Sequence, residues 1–233
     1  MKSLKFTLNQ DILKIIALIS MTIDHIAKTM FDGVMLDVGV CIGRISFPIF
    51  AFLLMKHLAE KSIYKKYIIR LLVFGVITFG IMFCFCGFVR TARVFPLNIF
   101  ITFLIVVLYL KINDLIYKET GPKFLKYMMY ILNFAVFAFL SLICDYGVSG
   151  FLFLVFLYCY FKKANWLVLG LVLLFSGLIN MGVNYWVVSL LTMLVLLFVE
   201  FDKNAKRIIK KWWMFYAYYP LHFFIIMLIK YLL

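Results

Sequence analysis

Apolar residues along this chain do not alternate; they run on, and short polar breaks divide the runs. The breaks are "FDGVMLDVG", "KHLAEKSIYKK", "CGFVRTARVFP", "KINDLIYKETGPK", "DYGVSG", "FKKAN", "NMGVN" and "EFDKNAKRIIKK". A helix that crosses a bilayer needs roughly 20 mostly apolar residues, somewhat fewer where the bilayer thins. On that ruler the pattern predicts nine spans, at about 11–31, 38–58, 67–88, 95–112, 124–144, 146–161, 165–181, 184–200 and 212–232. Spans six to eight are short and weakly separated, so the count runs from eight to ten. Their length also suits strands, but Leu, Ile and Phe continue without the alternation of a barrel wall. The expected fold is an all-α, polytopic integral membrane helix bundle. It forms a single transmembrane domain over 1–233, with no long polar loop left for a soluble one.

Composition agrees. Hydrophobic residues make up 67% of the 233 positions, against about 45–50% in soluble domains, and the mean hydropathy is +1.09. The formal charge of +14 raises the question of nucleic acid, and its distribution answers it. One alternating set of breaks holds Lys2, Lys5; Lys56, Lys61, Lys65, Lys66, Arg70; Lys111, Lys118, Lys123, Lys126; Lys162, Lys163; and Lys203, Lys206, Arg207, Lys210, Lys211. The other set holds only Lys28, Arg90, Arg93 and Lys230. This is the positive-inside pattern, not a nucleic-acid footprint. It places the N-terminus in the cytoplasm and the C-terminus outside. Lys2 and Lys5 ahead of an apolar run resemble a signal peptide. The run is of span length and lacks a small-x-small cleavage site, so a retained first helix is expected. The five cysteines are odd in number, and Cys84-x-Cys86 lacks zinc spacing. They read as packing residues, with no metal site.

Within the first span, "LKIIALISMTIDHIAK", four ionisable groups stand out: Lys14, Asp24, His25 and Lys28. Eleven residues at 100° each return to within about 20° of one face, so Lys14 and His25 share a stripe, about 16 Å apart along the axis. Asp11 falls on the same stripe. Lys14 lies near the cytoplasmic mouth and His25 towards the outer half. Charged groups in a span normally face a bundle interior or a wet cavity. Arg44, in "GRISFPIFAFLL", is expected one turn into the second span and level with His25, where a guanidinium wants an anionic partner such as Asp24 or a substrate. Pro48 should bend the helix there and free a carbonyl. Arg90, Arg93, Asn98 with Thr102, Asp145 and His222 are further polar groups of the outer half or mid-depth. Each singly suits packing as well as chemistry; together they point to a site.

These pieces resemble the TraX family in order and over essentially the whole chain: "LKIIALISMTIDHIAK", "GRISFPIFAFLLMKHLAE", "FPLNIFITFL", "DYGVSGFLFLVFLY" and "FYAYYPLHFFII". The name-giving member of that family acetylates the N-terminus of a conjugative pilin subunit. The family in turn resembles the type 3 membrane acyltransferases, whose first helix carries a basic residue, ten residues and then an essential histidine. The resemblance implies that His25 is the catalytic histidine and Lys14 a donor-side residue. It matches Arg44 to the second-helix arginine and His222 to the YPLH histidine.

The expected activity is transfer of an acyl group, acetyl first among them, from cytoplasmic acyl-CoA to an extracytoplasmic acceptor. That acceptor is a pilin-like protein or peptide amine, or a surface glycan hydroxyl. The phosphates of the co-substrate would meet the basic inner surface, with Lys14 at the mouth. Neutral His25 would take the acceptor's proton, Arg44 would face the tetrahedral oxyanion, and Asp24 or Asp145 would hold the histidine tautomer. Arg90, Arg93, Asn98, Asp145 and His222 are the remaining substrate-side candidates. The rival reading is a proton-coupled transporter of a small anionic solute with Asp24, His25, Arg44 and His222 as a relay. No internal duplication of the kind common in transporters is visible. A non-catalytic assembly subunit is a third reading, for which buried charges are a costly ornament.

Overall fold

The first helix begins where Asn9 caps it. In the computed structural model, which describes residues 6–85, 98–180, 185–202 and 204–233, the Asn9 side chain accepts the N–H of Asp11 and α1 runs Gln10–Met30. Leu13, Ala17, Ser20, Met21, Asp24 and Ala27 form its buried face, the helical spacing of one side turned inward. There follow α2 (Gly33–Gly43), α3 (Ser46–Lys61), α4 (Tyr64–Phe85), α5 (Ile99–Lys118) and α6 (Lys123–Ser141). After them come α7 (Gly147–Lys162), α8 (Trp166–Leu178), α9 (Trp186–Leu197) and α10 (Trp212–Leu232).

Five stretches are long and apolar enough to cross a membrane: α2 with α3 taken together, α4, α5, α6 and α10. The chain is a helical membrane protein. Although α1 has 21 residues, it carries Asp11, Lys14, Asp24 and Lys28. Helices α7, α8 and α9 have 16, 13 and 12 residues. At 1.5 Å per residue the shortest reaches only about 18 Å, less than the roughly 30 Å of a hydrocarbon core.

Two expectations change. The second span, expected as one helix over 38–58, is two, and the break falls at Arg44 and Ile45 rather than at Pro48. Pro48 lies in the first turn of α3, where its missing N–H costs little. The carbonyl it leaves free is that of Arg44, four residues back. The all-helical expectation also misses a two-stranded parallel sheet, β1 (Phe6–Leu8) with β2 (Val199–Phe201), in register Phe6↔Val199 to Leu8↔Phe201. Three-residue strands give no periodicity to read, and Val199 sits in a run that looks like the end of a span.

The core lies around α3, which packs against α1, α7 and α9. Phe47, Phe52, Met55 and Leu58 of α3 are fully enclosed, as are Phe151, Phe153, Leu154 and Leu157 of α7. Phe47 also stacks on Tyr146, with ring centroids 3.9 Å apart. By contrast, α4 and α6 leave most of their apolar surface outward, as helices bordering lipid do. Small residues bring α2 onto α1: a side chain at Gly39 would overlap Ala27, and one at Gly43 would overlap Asp24. Cys41, Cys84, Cys144 and Cys159 are free thiols.

Candidate active site

The first and last helices meet at two histidines. His25 of α1 places Nδ1 2.8 Å from Nε2 of His222 in α10. Their ring planes lie within 7° of parallel with centroids 5.0 Å apart. With the nitrogens so close, that is an edge-to-edge contact in a common plane rather than a face-to-face stack. One turn away Thr22 and Tyr218 make a second rung, Oγ1 to hydroxyl, at 2.8 Å. The Thr22 hydroxyl also lies 2.8 Å from the Leu18 carbonyl, to which it donates. Its single proton is thereby used, and Tyr218 donates to it. The edges of Tyr219 and Phe223 close on the His25 ring at centroid distances of 5.9 and 5.8 Å. His222, two residues after Pro220, is 5% exposed.

A charged group lies beside this pair. Lys28 ion-pairs with Oδ2 of Asp24, and Nη2 of Arg44 stands 3.8 Å from Asp24 Oδ1. Arg44 Nη1 donates to Asn180 Oδ1 at 2.9 Å. The Asn180 amide in turn donates to Ser189, whose hydroxyl reaches back to the Arg44 carbonyl at 3.4 Å, the one that Pro48 leaves free. Arg44 therefore ties α2 and α3 to α8 and α9. Its hydrogen bonds do not run to His25, although its charge and that of Lys28 act on that ring. Arg44 Nε and Asp24 Oδ1 are buried without a hydrogen-bond partner among the described residues. Asp24 cannot hold His25, because successive residues point about 100° apart on a helix. Asp145 is exposed in the turn between α6 and α7 and interacts electrostatically with Lys28.

The basic end of the bundle opens into a cavity of about 510 Å³ between α1, α3, α4, α5 and α10. Lys14, His57, Lys66, Arg70, Arg207 and Lys210 surround its mouth. The Arg70 guanidinium lies over Trp212, 3.7 Å from the ring centroid. Inward the walls become Leu18, Met21, Leu53 and Phe103, and Tyr219 also lines the cavity. The ring that borders this cavity is thus the ring that touches His25 and His222. The segment 204–211 walls the mouth and is held there by α1. Asp11 Oδ2 accepts the N–H groups of Ile208 and Ile209 at 2.9 and 3.0 Å, and Asn9 donates to the Lys206 carbonyl. Asp11 Oδ1 takes Lys14 at 2.7 Å. A second, mostly apolar hollow of about 680 Å³ is bordered by Thr22, Ile26, Tyr218, His222, Ile225 and Ile229.

Of the expected site residues, His25, His222, Asp24, Arg44 and Asp145 gather in one region, and Lys14 lies at the mouth of the cavity that Tyr219 also lines. Asn98 does something else. It is 1% exposed and caps α5, accepting from the N–H of Phe100 and donating to the Gly75 carbonyl. Its amide is engaged in joining α4 to α5, which leaves little for a substrate. Arg90 and Arg93 lie outside the described residues. Sequence reasoning missed Thr22, Tyr218, Tyr219, Asn180, Ser189 and His57. The tyrosines stood in "YYPLH", already singled out for its histidine; nothing in "INMGVN" marked Asn180. No cluster of three His, Cys, Asp or Glu suited to a metal occurs among the described residues.

The fold and site define a polytopic helical membrane protein with a histidine pair joining its first and last helices, packed on Tyr219, which also lines a cavity with a basic mouth. The family model described as TraX protein matches residues 9–230, and the chain belongs to the TraX family. A 68-residue stretch is 40% identical to the uncharacterized protein RP591 of Rickettsia prowazekii (strain Madrid E). That stretch covers 29% of this chain and only 25% of the relative, about a quarter of its length. No solved structure matches the chain.

Proposed function

We propose that this protein is an integral membrane acyltransferase of the bacterial cell membrane, with nine crossings and a cytoplasmic N-terminus. It moves an acyl group, acetyl in the first instance, from cytoplasmic acyl-CoA to an amine or hydroxyl on the outer side. The acceptor is a pilin-like protein or peptide, or a surface glycan. The observation that carries this reading is the cavity with a cationic mouth and apolar walls that borders Tyr219, the ring packed on His25 and His222.

Such a cavity suits a co-substrate with a polyanionic head and a thin arm. Lys14, Lys66 and Arg70 would meet the phosphates, while Leu18, Met21 and Phe103 would line the arm. The thioester then comes to lie near His25. Nδ1 of that ring is engaged by His222, so the substrate meets Nε2. The acceptor's N–H or O–H gives its proton to His25 as its heteroatom bonds to the carbonyl carbon. The tetrahedral oxyanion collapses, the carbon–sulfur bond breaks, and His25 returns the proton to the departing thiolate. Arg44 Nε–H, buried and otherwise unpaired among the described residues, is a preorganised donor for that oxyanion. The transporter relay draws less support. It needs Asp24 and Arg44 continuous with the histidines, whereas their hydrogen bonds run to Lys28 and Asn180.

Inverted membrane vesicles supplied with radiolabelled acetyl-CoA provide the test. Label should enter material in the lumen, with release of free CoA thiol, and His25→Ala should abolish both. Proton-driven uptake of a solute in the absence of any acyl donor, with no thiol release, would overturn the reading.

A further inference from the structure

His222 makes two hydrogen bonds, and one of them fixes the direction of the other. Its Nδ1 lies 2.9 Å from the main-chain carbonyl oxygen of Tyr218. A carbonyl oxygen only accepts, so His222 Nδ1 holds a proton. In a neutral imidazole the second nitrogen is then an acceptor, and Nε2 of His222 presents a lone pair. The atom facing that lone pair at 2.8 Å is Nδ1 of His25. Two lone pairs do not approach so closely, so the proton of that bond belongs to His25 Nδ1. The shared ring plane puts the N–H and the lone pair in line. Nε2 of His25 is left as the unprotonated nitrogen.

We infer that His222 is a positioning residue that holds His25 in the Nδ1–H tautomer and thereby keeps Nε2 as the proton acceptor. The inference rests on the reading of His25 as the base in acyl transfer. It gives to a histidine of α10 the part that sequence reasoning offered to Asp24 or Asp145. The support behind His222 is itself fixed, because Tyr218 is pinned by its hydroxyl to Thr22, whose own proton goes to Leu18. Thr22 and His25 are three residues apart on α1, and Tyr218 and His222 four apart on α10. The two rungs therefore hold the helices at one rotation and one height. When His25 Nε2 gains the acceptor's proton, the proton on Nδ1 can pass to His222 Nε2. His222 then donates from both nitrogens, and the charge is shared without leaving the pair. Transfer of the Nε2 proton to the leaving thiolate reverses both movements.

Ring-nitrogen NMR on protein labelled with ¹⁵N-histidine tests this directly. The chain has three histidines, and single His→Gln variants assign their signals. At a pH where the rings are neutral, His25 and His222 should each show a protonated Nδ1 and a bare Nε2. In His222→Leu the His25 signal should shift to a mixture of tautomers. In His222→Gln, whose amide oxygen can replace Nε2 as acceptor, the wild-type pattern should return. For transfer, His222→Leu should lower kcat by about 10²-fold with the KM for acetyl-CoA unchanged, and His222→Gln should recover most of it. A bare Nδ1 on His25 in the wild-type protein would overturn the inference, as would an unchanged His25 tautomer in His222→Leu. The wild-type spectrum decides the matter even if His222→Leu does not fold. The expected spectra in a protein that transfers no acyl group would uphold the tautomer and sink the acyltransferase reading instead.

Discussion

His25 and His222 stand 197 residues apart in the sequence and 2.8 Å apart in space. The polar centre is therefore made jointly by the first and last helices, α1 and α10, with the intervening helices as its frame. Each hydrogen bond at that centre has an assigned direction, and each assignment can be tested by substitution.

Replacing His25 by alanine removes the proposed base and its ring contacts with Tyr219, His222 and Phe223 of α10, while an alanine keeps α1 helical. The expected loss of transfer is about 10²–10⁴-fold. Purified, monodisperse His25→Ala should keep a wild-type elution profile. A variant that retains full transfer would remove His25 from the mechanism.

Lys14→Ala and Arg70→Ala should raise the KM for acetyl-CoA by about tenfold each, the size of one charge-assisted contact. Their kcat should change little, because a phosphate contact made equally in ground and transition states affects binding alone. Lys14→Arg should bind normally. Steady-state kinetics at fixed ionic strength separate the two parameters.

Asp11 holds two main-chain N–H groups and one ammonium with a carboxylate that is 4% exposed. Asp11→Ala removes all three bonds, each worth about 0.5–1.5 kcal/mol where the donors are partly open to solvent. The segment 204–211 should then come away from the mouth. Trypsin added at that face should cut after Lys206 or Arg207 much faster than in the parent. Equal cleavage rates would show that Asp11 is not what retains the segment.

Two glycines separate close approach from open surface. Gly43→Ala drives a methyl group into the Asp24 side chain, and an overpacked position of this kind typically costs about 1–3 kcal/mol. Gly80→Ala meets nothing and should stabilise its helix by about 0.5–1 kcal/mol. Thermal unfolding in one detergent should move in opposite directions for the pair.

Single cysteines report the orientation. A membrane-impermeant thiol reagent added to intact cells should reach residues 31 and 32, between α1 and α2, and spare 204–208. Labelling of 204–208 from outside would invert the topology.

The helices were legible because lipid tolerates so little else: an apolar run of span length has few alternatives to a helix. The break at Arg44 was not, because the contacts that accompany it are tertiary. The residues around it are as apolar as any span, and the guanidinium meets Asn180, just after α8, and Asp24 of α1. At the site, helical spacing alone puts Lys14 and His25 near one side of α1, and the cavity that Lys14 lines follows α1 as far as Met21. The partner of His25 was not readable, since spacing within α1 says nothing about which face of α10 arrives opposite. Asn98 shows the converse. A buried amide beside an apolar run looks like a ligand until the N–H it caps and the carbonyl it binds are in view.

The parallel pairing of Phe6–Leu8 with Val199–Phe201 has a consequence for the order of events in the cell. At a synthesis rate of about 5–20 residues per second, the first strand waits roughly 10–40 s for its partner to be made. Until then neither the clasp nor the Asp11 contact to Ile208 and Ile209 can form. Helix α1 is made early with its near end untied, and the cavity lacks the wall formed by 204–211 until nearly the whole chain has been made. A ribosome-bound chain short of that point has Lys14 and Arg70 in place without the segment that faces them across the mouth.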